Sequence, residues 1–152
     1  MRLALGADHA GFELRAELAE WAVAQGHEVW QFGAESASPY DYPDAADLVA
    51  TALLRREADF GVLVCGSGIG VDMRANRHEH VRAANCLTTE MAELSRRHNH
   101  ANVLCLGARL VDGEVAKALL NTFLTTEESR EARHIRRVAK IDGGVPMIEG
   151  ER

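Results

Sequence analysis

Long apolar runs and an excess of basic residues are both missing from this sequence. No apolar run approaches the ~18–20 residues of a membrane span. The first residues, MRLALGADH, turn polar too early for the apolar core of an export signal. We therefore expect neither a membrane segment nor an export signal.

Cysteine is scarce and scattered. The three cysteines, Cys65, Cys86 and Cys105, are widely spaced, and none belongs to a Cys-x-x-Cys pair. Their odd number argues against a disulfide framework, and the pattern fits a protein of the reducing cytoplasm. The absence of cysteine pairs argues against structural zinc. We also expect no metal site at the histidine-rich segments NRHEH (76–80) and HNH (98–100), because ligands at i, i+2 suit a strand rather than a loop.

Charge and composition indicate a single acidic globular domain. The 152 residues include 17 Lys and Arg against 23 Asp and Glu, a net charge of −6, which argues against a general nucleic-acid surface. Hydrophobic residues make up 47% and charged residues 26%, as in folded soluble domains. We predict one domain over residues 1–141 and a C-terminal tail over residues 142–152.

Apolar runs alternate with segments of helical periodicity. Strands are predicted at residues 2–7, 27–33, 59–66, 80–87 and 102–108. Helices are predicted at residues 12–26, 44–57, 89–99, 112–124 and 127–140. Near-continuous apolar strands separated by amphipathic helices indicate a parallel sheet covered on both faces. The predicted fold class is therefore α/β, doubly wound.

Reactive side chains follow three of the predicted strands. Asp8 and His9 come after the first strand, Cys65 and the glycines behind it after the third, and Arg109 after the fifth. Because ligands bind at the carboxyl ends of the strands in such sheets, we expect these residues at one edge.

The turn CGSGIG, residues 65–70, has glycines at every second position. Glycines leave backbone N–H groups unobstructed, so the turn can bind an anion. It lacks the Gly-Lys-Ser/Thr ending of a nucleotide P-loop, and its third glycine is at 70 rather than 71, against the dinucleotide fingerprint. Cys65 is then either a base or nucleophile at the turn or an inert cysteine packed at a strand end. The local pattern alone favours the inert interpretation.

The remaining polar residues each have two interpretations. Asp8 and His9 can bind a sugar or phosphate, or form a helix cap. His98 and Asn99, at a helix end, can take part in proton transfer or simply complement the helix dipole. Two arginines spaced i, i+4 on one helix face can grip a phosphate or form a solvated basic stripe; they are Arg133 and Arg137.

Six motifs, taken in order, resemble one family. They are GADHAGFELR at the start, DYP at 41–43, CGSGIG at 65–70, RAANC at 82–86, SRRHNHANVLCLGAR at 95–109 and RHIRRV at 133–138. The ordered set resembles the type B ribose-5-phosphate isomerases, which are grouped with the galactose-6-phosphate isomerase subunits. Those subunits generally lack the cysteine, so Cys65 places the chain nearer the ribose-5-phosphate type.

The resemblance implies a fold and an activity. The fold would be a Rossmann-like three-layer α/β/α sandwich with a five-stranded parallel sheet. The activity would be the aldose–ketose isomerisation of a small-molecule sugar phosphate, without metal or organic cofactor. The assembly would be a homodimer or a pair of dimers whose active sites are shared between subunits.

The resemblance also implies residue roles. Cys65 would be the base that removes the C2 proton, Ser67 would assist it, and His98 would help to open the sugar ring. The substrate would be bound by Asp8, His9, Gly66, Gly68, Ile69, Gly70, Asn99, Arg109, Arg133 and Arg137. Some of these groups, His98, Asn99 and the arginines, would come partly from the neighbouring chain.

The segment after the glycine turn departs from the family. It carries Asp72, Met73, Arg74 and Arg77 where relatives have a small, alanine-rich run. Some members of the family that lack the cysteine use a glutamate in this turn as base, and the corresponding position here is Val71. Asp72, one residue on, is expected to point elsewhere on a helix, and a part for it in proton transfer stays open. A tetrose 4-phosphate or hexose 6-phosphate substrate also stays open, as does a non-catalytic sugar-phosphate or nucleotide-binding module.

Overall fold

The chain forms a parallel sheet between two layers of helices in a computed structural model that describes residues 1–143. In chain order the elements are β1 (Arg2–Ala7), α1 (Phe12–Ala24), β2 (Glu28–Gly33), α2 (Tyr42–Leu54), β3 (Phe60–Cys65), α3 (Ile69–Ala75), β4 (Ala83–Asn85), α4 (Thr89–Asn99), β5 (Val103–Gly107), α5 (Gly113–Thr125) and α6 (Ala132–Ile141). The predicted tail lies outside the described residues from 144 onward.

The sheet has the order β2-β1-β3-β5-β4, and every pair of neighbouring strands is parallel. The predicted α/β class and the five-stranded parallel sheet are confirmed. Side chains alternate along β3: Val62 and Val64 pack with α1, α4 and α5, whereas Leu63 and Cys65 pack with α2 and α3. Cys65 therefore faces the layer of α2 and α3.

Three predicted elements have wrong bounds. The helix predicted at 44–57 spans Tyr42–Leu54, and long-range hydrogen bonds explain the other two differences. The strand predicted at 80–87 is confined to β4, because the Asn102 side chain takes the Arg82 N–H (2.8 Å) and donates to the His80 carbonyl (2.8 Å). The last helix begins at Ala132 rather than at residue 127. Before it, the Ser129 N–H donates to the carbonyl of Arg97, 2.9 Å away, and so leaves the helical hydrogen-bond pattern.

Helix α4 has a side-chain cap at its start. Helix α4 begins behind Thr88, whose Oγ1 accepts a hydrogen bond from the Met91 N–H at 3.2 Å. Within residues 1–143, no helix has both the length and the apolar character needed to cross a membrane.

Candidate active site

The carboxyl ends of β1, β3 and β5 open into one cleft of about 500 Å³. It is lined by Asp8, His9, Ala10, Tyr42, Cys65, Gly66, Ser67, Ile69, Gly70, Met73 and Arg109. The sequence-based expectation that the residues after these strands meet at one edge is therefore correct. A thiol, a carboxylate, an imidazole and a guanidinium share this cleft.

The glycine turn bends sharply beneath the cleft. Gly68 has φ +77°, a left-handed conformation that favours glycine. The Gly68 N–H donates to the sulfur of Cys65 at 3.2 Å, and the Ile69 N–H donates to Ser67 Oγ at 3.3 Å. Both N–H groups thus point at side-chain atoms of the turn itself. A substrate oxygen would compete with the Cys65 sulfur for the hydrogen bond from the Gly68 N–H.

The end of β5 is tied to the same turn. The Ala108 N–H donates to the Cys65 carbonyl at 2.8 Å, and the Arg109 N–H donates to the Gly66 carbonyl at 3.1 Å. The Arg109 guanidinium then lies directly over Gly66, where an added Cβ would be 3.2 Å from Cζ. Glycine at position 66 therefore leaves room for a cation beside the thiol.

Asp8 and His9 line the wall that follows β1. Asp8 is buried, and its Oδ1 accepts hydrogen bonds from the N–H groups of Ala10 (2.9 Å) and Gly11 (3.0 Å). One carboxylate oxygen of Asp8 is thus hydrogen-bonded to the backbone just before α1. His9 Nδ1 lies 3.2 Å from the Tyr40 nitrogen, which donates, and 3.3 Å from the Tyr40 carbonyl oxygen, which accepts. Both contacts involve Nδ1, and in the protonated ring Nε2 can donate to an anion.

Tyr42 is a cleft residue that the sequence analysis did not identify. It is the first residue of α2, and its ring lies against Gly70, where an added Cβ would be 2.7 Å from the ring. The signal was present in the motif DYP at 41–43, but nothing in the local pattern indicated where the ring would point.

The structure separates the residues that depart from the family. Met73 is exposed and lines the cleft. Arg74 is held by Asp47 through two hydrogen bonds of 2.7 and 2.8 Å, and this contact lowers the pKa of Asp47. Asp72 is not among the residues that line the cleft, as expected, and burial raises its pKa. Of these three residues, only Met73 can meet a ligand in the cleft.

Five of the predicted site residues are not part of the cleft lining. Gly68 lies within the glycine turn itself, and the other four lie elsewhere in the fold. His98 and Asn99 end α4, which runs from β4 back to the start of β5, at the amino edge of the sheet. Arg133 and Arg137 lie on α6, which packs against α4. A five-residue strand spans roughly 16 Å, so within one chain these groups and Cys65 lie at opposite edges of the sheet.

At the amino edge, His98 stacks on a second histidine. The rings of His98 and His134 are stacked, with centroids 4.2 Å apart and planes nearly parallel, at 2°. His134 is buried, and burial, followed by the charges of its neighbours His98 and Arg133, lowers its pKa. A neutral imidazole therefore supports the half-buried His98 from behind. The Arg133 guanidinium pairs with Glu131 at 2.8 Å, both side chains being exposed.

A metal ion needs a set of ligand side chains that the fold brings together. Across residues 1–143, no three His, Cys, Asp or Glu side chains come together in a way that could hold an ion.

Replacing Gly68 by alanine is expected to destabilise the fold by about 1–3 kcal/mol and to distort the turn, because a left-handed non-glycine residue is strained. The new Cβ would also meet Asn85 Oδ1 at 2.6 Å and the Leu106 carbonyl carbon at 2.8 Å. Thermal unfolding measures the loss. Gly26→Ala is the matched control: its φ is +84°, but nothing lies within 4 Å of its Cβ. Equal losses in the two variants would contradict the clash at Gly68.

Comparison with known proteins places the chain in a family. A family model described as Ribose/Galactose Isomerase matches residues 3–141. The ribose-5-phosphate isomerase B of Escherichia coli is 39% identical over 140 residues, which cover 92% of this chain and 93% of that protein.

Solved structures agree with the sequence comparison. A ribose 5-phosphate isomerase from Thermotoga maritima has a TM-score of 0.91 at 44% identity, covering 93% of this chain and 97% of its own. The type B ribose 5-phosphate isomerase of Trypanosoma brucei has a TM-score of 0.90 at 41% identity, covering 95% and 98%. The resemblance carried by the six sequence motifs is thereby confirmed, and the chain belongs to the ribose/galactose isomerase family.

Proposed function

We propose that this isomerase interconverts ribose 5-phosphate and ribulose 5-phosphate, with Cys65 as the base. The observation that carries the proposal is that the thiol shares one cleft with two groups suited to a phosphate, His9 and Arg109. Relatives named as ribose-5-phosphate isomerases match the chain over more than nine-tenths of its length, which supports the same substrate.

The proposed reaction moves one proton between adjacent carbons. The Cys65 thiolate removes the proton from C2 of the open-chain aldose, and the electron pair moves onto the carbonyl oxygen, giving an enediolate. Return of a proton to C1 and transfer of the remaining hydroxyl proton produce the ketose. Ser67, at the same end of the cleft, has a hydroxyl that can relay the proton between the two oxygens.

The glycine turn is suited to the negative charge of the enediolate. Fixed N–H donors in such a site are typically worth about 3–4 kcal/mol each. The Gly68 N–H already lies 3.2 Å from the Cys65 sulfur. As the thiolate takes up the carbon-bound proton its charge disappears, and this donor becomes free to stabilise the oxygen where charge develops.

The phosphate would be held at a distance from the reacting carbons. A phosphate dianion needs several cationic donors, and binding energy from this remote group orients the reacting end. Arg109 and His9 are the donors that one chain brings to the cleft. The exposed Arg137 of α6 is suited to the same dianion, and so is Arg133 after exchange of its local partner Glu131.

A complete site then needs a second copy of the chain. His98, Asn99, Arg133 and Arg137 lie at the opposite edge of the sheet from the thiol of their own chain. A two-fold dimer that docks the amino edge of one chain on the cleft of the other would bring them to the thiol, and two-fold symmetry would create two such sites. We therefore propose a homodimer, or a pair of dimers. The three free cysteines support a cytoplasmic location.

The residues that depart from the family leave ribose 5-phosphate as the first candidate. Arg74 is engaged with Asp47, and Asp72 is not part of the cleft lining, so neither presents a side chain to the substrate. Met73 contributes a flexible apolar side chain there, which can adapt to sugars of different length.

A panel of aldose phosphates tests the proposal directly. Purified protein is mixed with erythrose 4-phosphate, ribose 5-phosphate and hexose 6-phosphates, and ketose formation is followed by NMR. We expect the highest kcat/KM for ribose 5-phosphate. Faster turnover of a tetrose or hexose phosphate would contradict ribose 5-phosphate as the substrate. Binding of these sugars without turnover of any of them would contradict the enzymatic function and indicate a sugar-phosphate-binding module.

A further inference from the structure

The atypical residue Asp72 takes part in a contact between α3 and the free edge of the sheet. Strand β4 has a neighbour on one side only, β5. The Cys86 N–H donates to the Cys105 carbonyl at 3.2 Å. Backbone groups of successive strand residues point in opposite directions, so the N–H of Asn85 points away from β5, along the free edge.

Helix α3 covers this edge with two polar side chains spaced i, i+4, which lie on one helical face. Asn76 Oδ1 accepts from the Ala83 N–H at 2.9 Å, and its Nδ2 donates to the Ala83 carbonyl at 3.0 Å. One turn earlier, on the same face, the Asp72 carboxylate faces the backbone N–H of Asn85. This N–H and the Cys105 thiol partly offset the rise that burial causes in the pKa of Asp72.

The Asn85 side chain reaches the glycine turn from beneath. Its Nδ2 donates to the Ser67 carbonyl at 3.3 Å, and an added Cβ at Gly68 would lie 2.6 Å from its Oδ1. Asn85 therefore meets the segment Ser67–Asp72 at both ends: its amide donates to Ser67, and its backbone N–H faces the Asp72 carboxylate.

This polar pair has a cost in stability. Asp72 Oδ1 and Asn85 Oδ1 are both buried without a hydrogen-bond partner in the described part of the chain. Buried polar atoms without partners destabilise a fold, and apolar side chains of the same volume would avoid that loss. The pair is better explained by the geometry that it imposes on the turn than by a gain in stability.

We propose that Asp72 is a positioning residue for the isomerisation: together with Asn85 it fixes the glycine turn, and so fixes Cys65 and the N–H donors relative to the substrate. Asp72 lies outside the cleft lining and acts only through the turn. The inference rests on the proposed function, since it takes the turn to hold the reacting carbons.

Three variants test it. Asp72→Leu removes the carboxylate, and Asn85→Leu removes the amide that donates to Ser67, each at similar volume. Asp72→Asn keeps an oxygen acceptor that faces the Asn85 N–H. We expect kcat to fall about tenfold or more in both leucine variants, because misplacing reacting groups by ~1 Å can cost 10²-fold. KM should stay within about twofold, because the phosphate contacts are untouched, and Asp72→Asn should keep at least about a third of the wild-type kcat.

A readout without substrate follows the turn itself. In ¹H–¹⁵N NMR spectra, the amide resonances of Gly66, Gly68 and Gly70 should shift in the leucine variants and stay near wild type in Asp72→Asn. The resonance of Gly26, which follows α1 at the opposite edge of the sheet, serves as the internal reference.

The matched control removes an aspartate from the amino end of β3. Asp59 accepts from the Arg2 N–H at 2.7 Å and from the Arg2 guanidinium at 2.6 Å. Asp59→Ala should lower the melting temperature and leave kcat within about twofold, because it does not touch the turn.

Unchanged kcat in both leucine variants, or an equal fall in Asp59→Ala, would overturn the positioning role. If Asp72→Leu does not fold, Asn85→Leu and Asp72→Asn decide. If the wild type turns over another aldose phosphate, the kcat of each variant relative to wild type is measured with that sugar.

If the wild type turns over no aldose phosphate, the proposed function fails. Independently of turnover, unshifted amide resonances of Gly66, Gly68 and Gly70 in Asn85→Leu would show that Asn85 does not fix the glycine turn.

Discussion

Replacing Cys65 by alanine is expected to lower kcat for ribose 5-phosphate by about a thousandfold, since a positioned base typically contributes 10²–10⁴-fold. The change removes the thiol and leaves the anion-binding side chains His9 and Arg109 in the cleft. Binding of ribitol 5-phosphate, which has no carbonyl and cannot react, should therefore stay within about threefold of wild type. Steady-state kinetics and titration calorimetry measure the two effects.

Cys86→Ala provides the matched control for the loss of a thiol. Cys86 is buried outside the cleft, and burial raises its pKa to about 11, so that its thiol stays protonated near neutral pH. We expect its kcat to remain within about twofold of wild type. Wild-type turnover by Cys65→Ala would contradict the thiol base. A loss of ribitol 5-phosphate binding equal to the loss of kcat would show that Cys65 binds substrate rather than reacts with it.

The second large effect is the recovery of activity when two inactive variants are combined. Cys65→Ala and His98→Ala are each expected to be nearly inactive alone. If each site takes its thiol from one chain and its imidazole from the other, a mixed dimer contains one intact site and one site that lacks both groups. Random exchange makes half of the dimers mixed, so about one quarter of wild-type activity should return. Co-refolded mixtures and ketose formation provide the measurement.

A second mixture controls for non-specific rescue. Cys65 and Arg109 line the cleft of the same chain. A mixed dimer of Cys65→Ala with Arg109→Ala therefore carries one defect in each site, and no activity should return. Recovery in this control, or none with His98→Ala in a preparation proven to contain mixed dimers, would contradict the shared site.

Much of the architecture can be predicted from residue order. The apolar runs predict five buried parallel strands because, in such a sheet, both faces of each strand are covered. That arrangement in turn predicts that residues following the strands meet at one edge, and Asp8, Cys65 and Arg109 do line one cleft. Element ends were predicted less well where distant side chains intervene, as Asn102 does at the start of β4.

The roles of individual side chains were harder to predict. Tyr42 lies at a helix start, where its type and position gave no sign that its ring would pack on Gly70. Asp72 stands beside the turn in the sequence, yet its carboxylate faces the edge of β4. In both cases the decisive contact joins residues far apart in the chain, and local periodicity carries no information about such contacts.

The sequence by itself determined the parallel sheet, the glycine turn after the third strand and the thiol at its entrance, since backbone conformation and burial follow from local residue types. Only the tertiary structure decided which groups share a cleft. It joined His9 and Arg109 to Cys65. It put His98 at the other edge, because a helix between parallel strands must return to the edge where the next strand begins, and Arg137 lies there because α6 packs against α4.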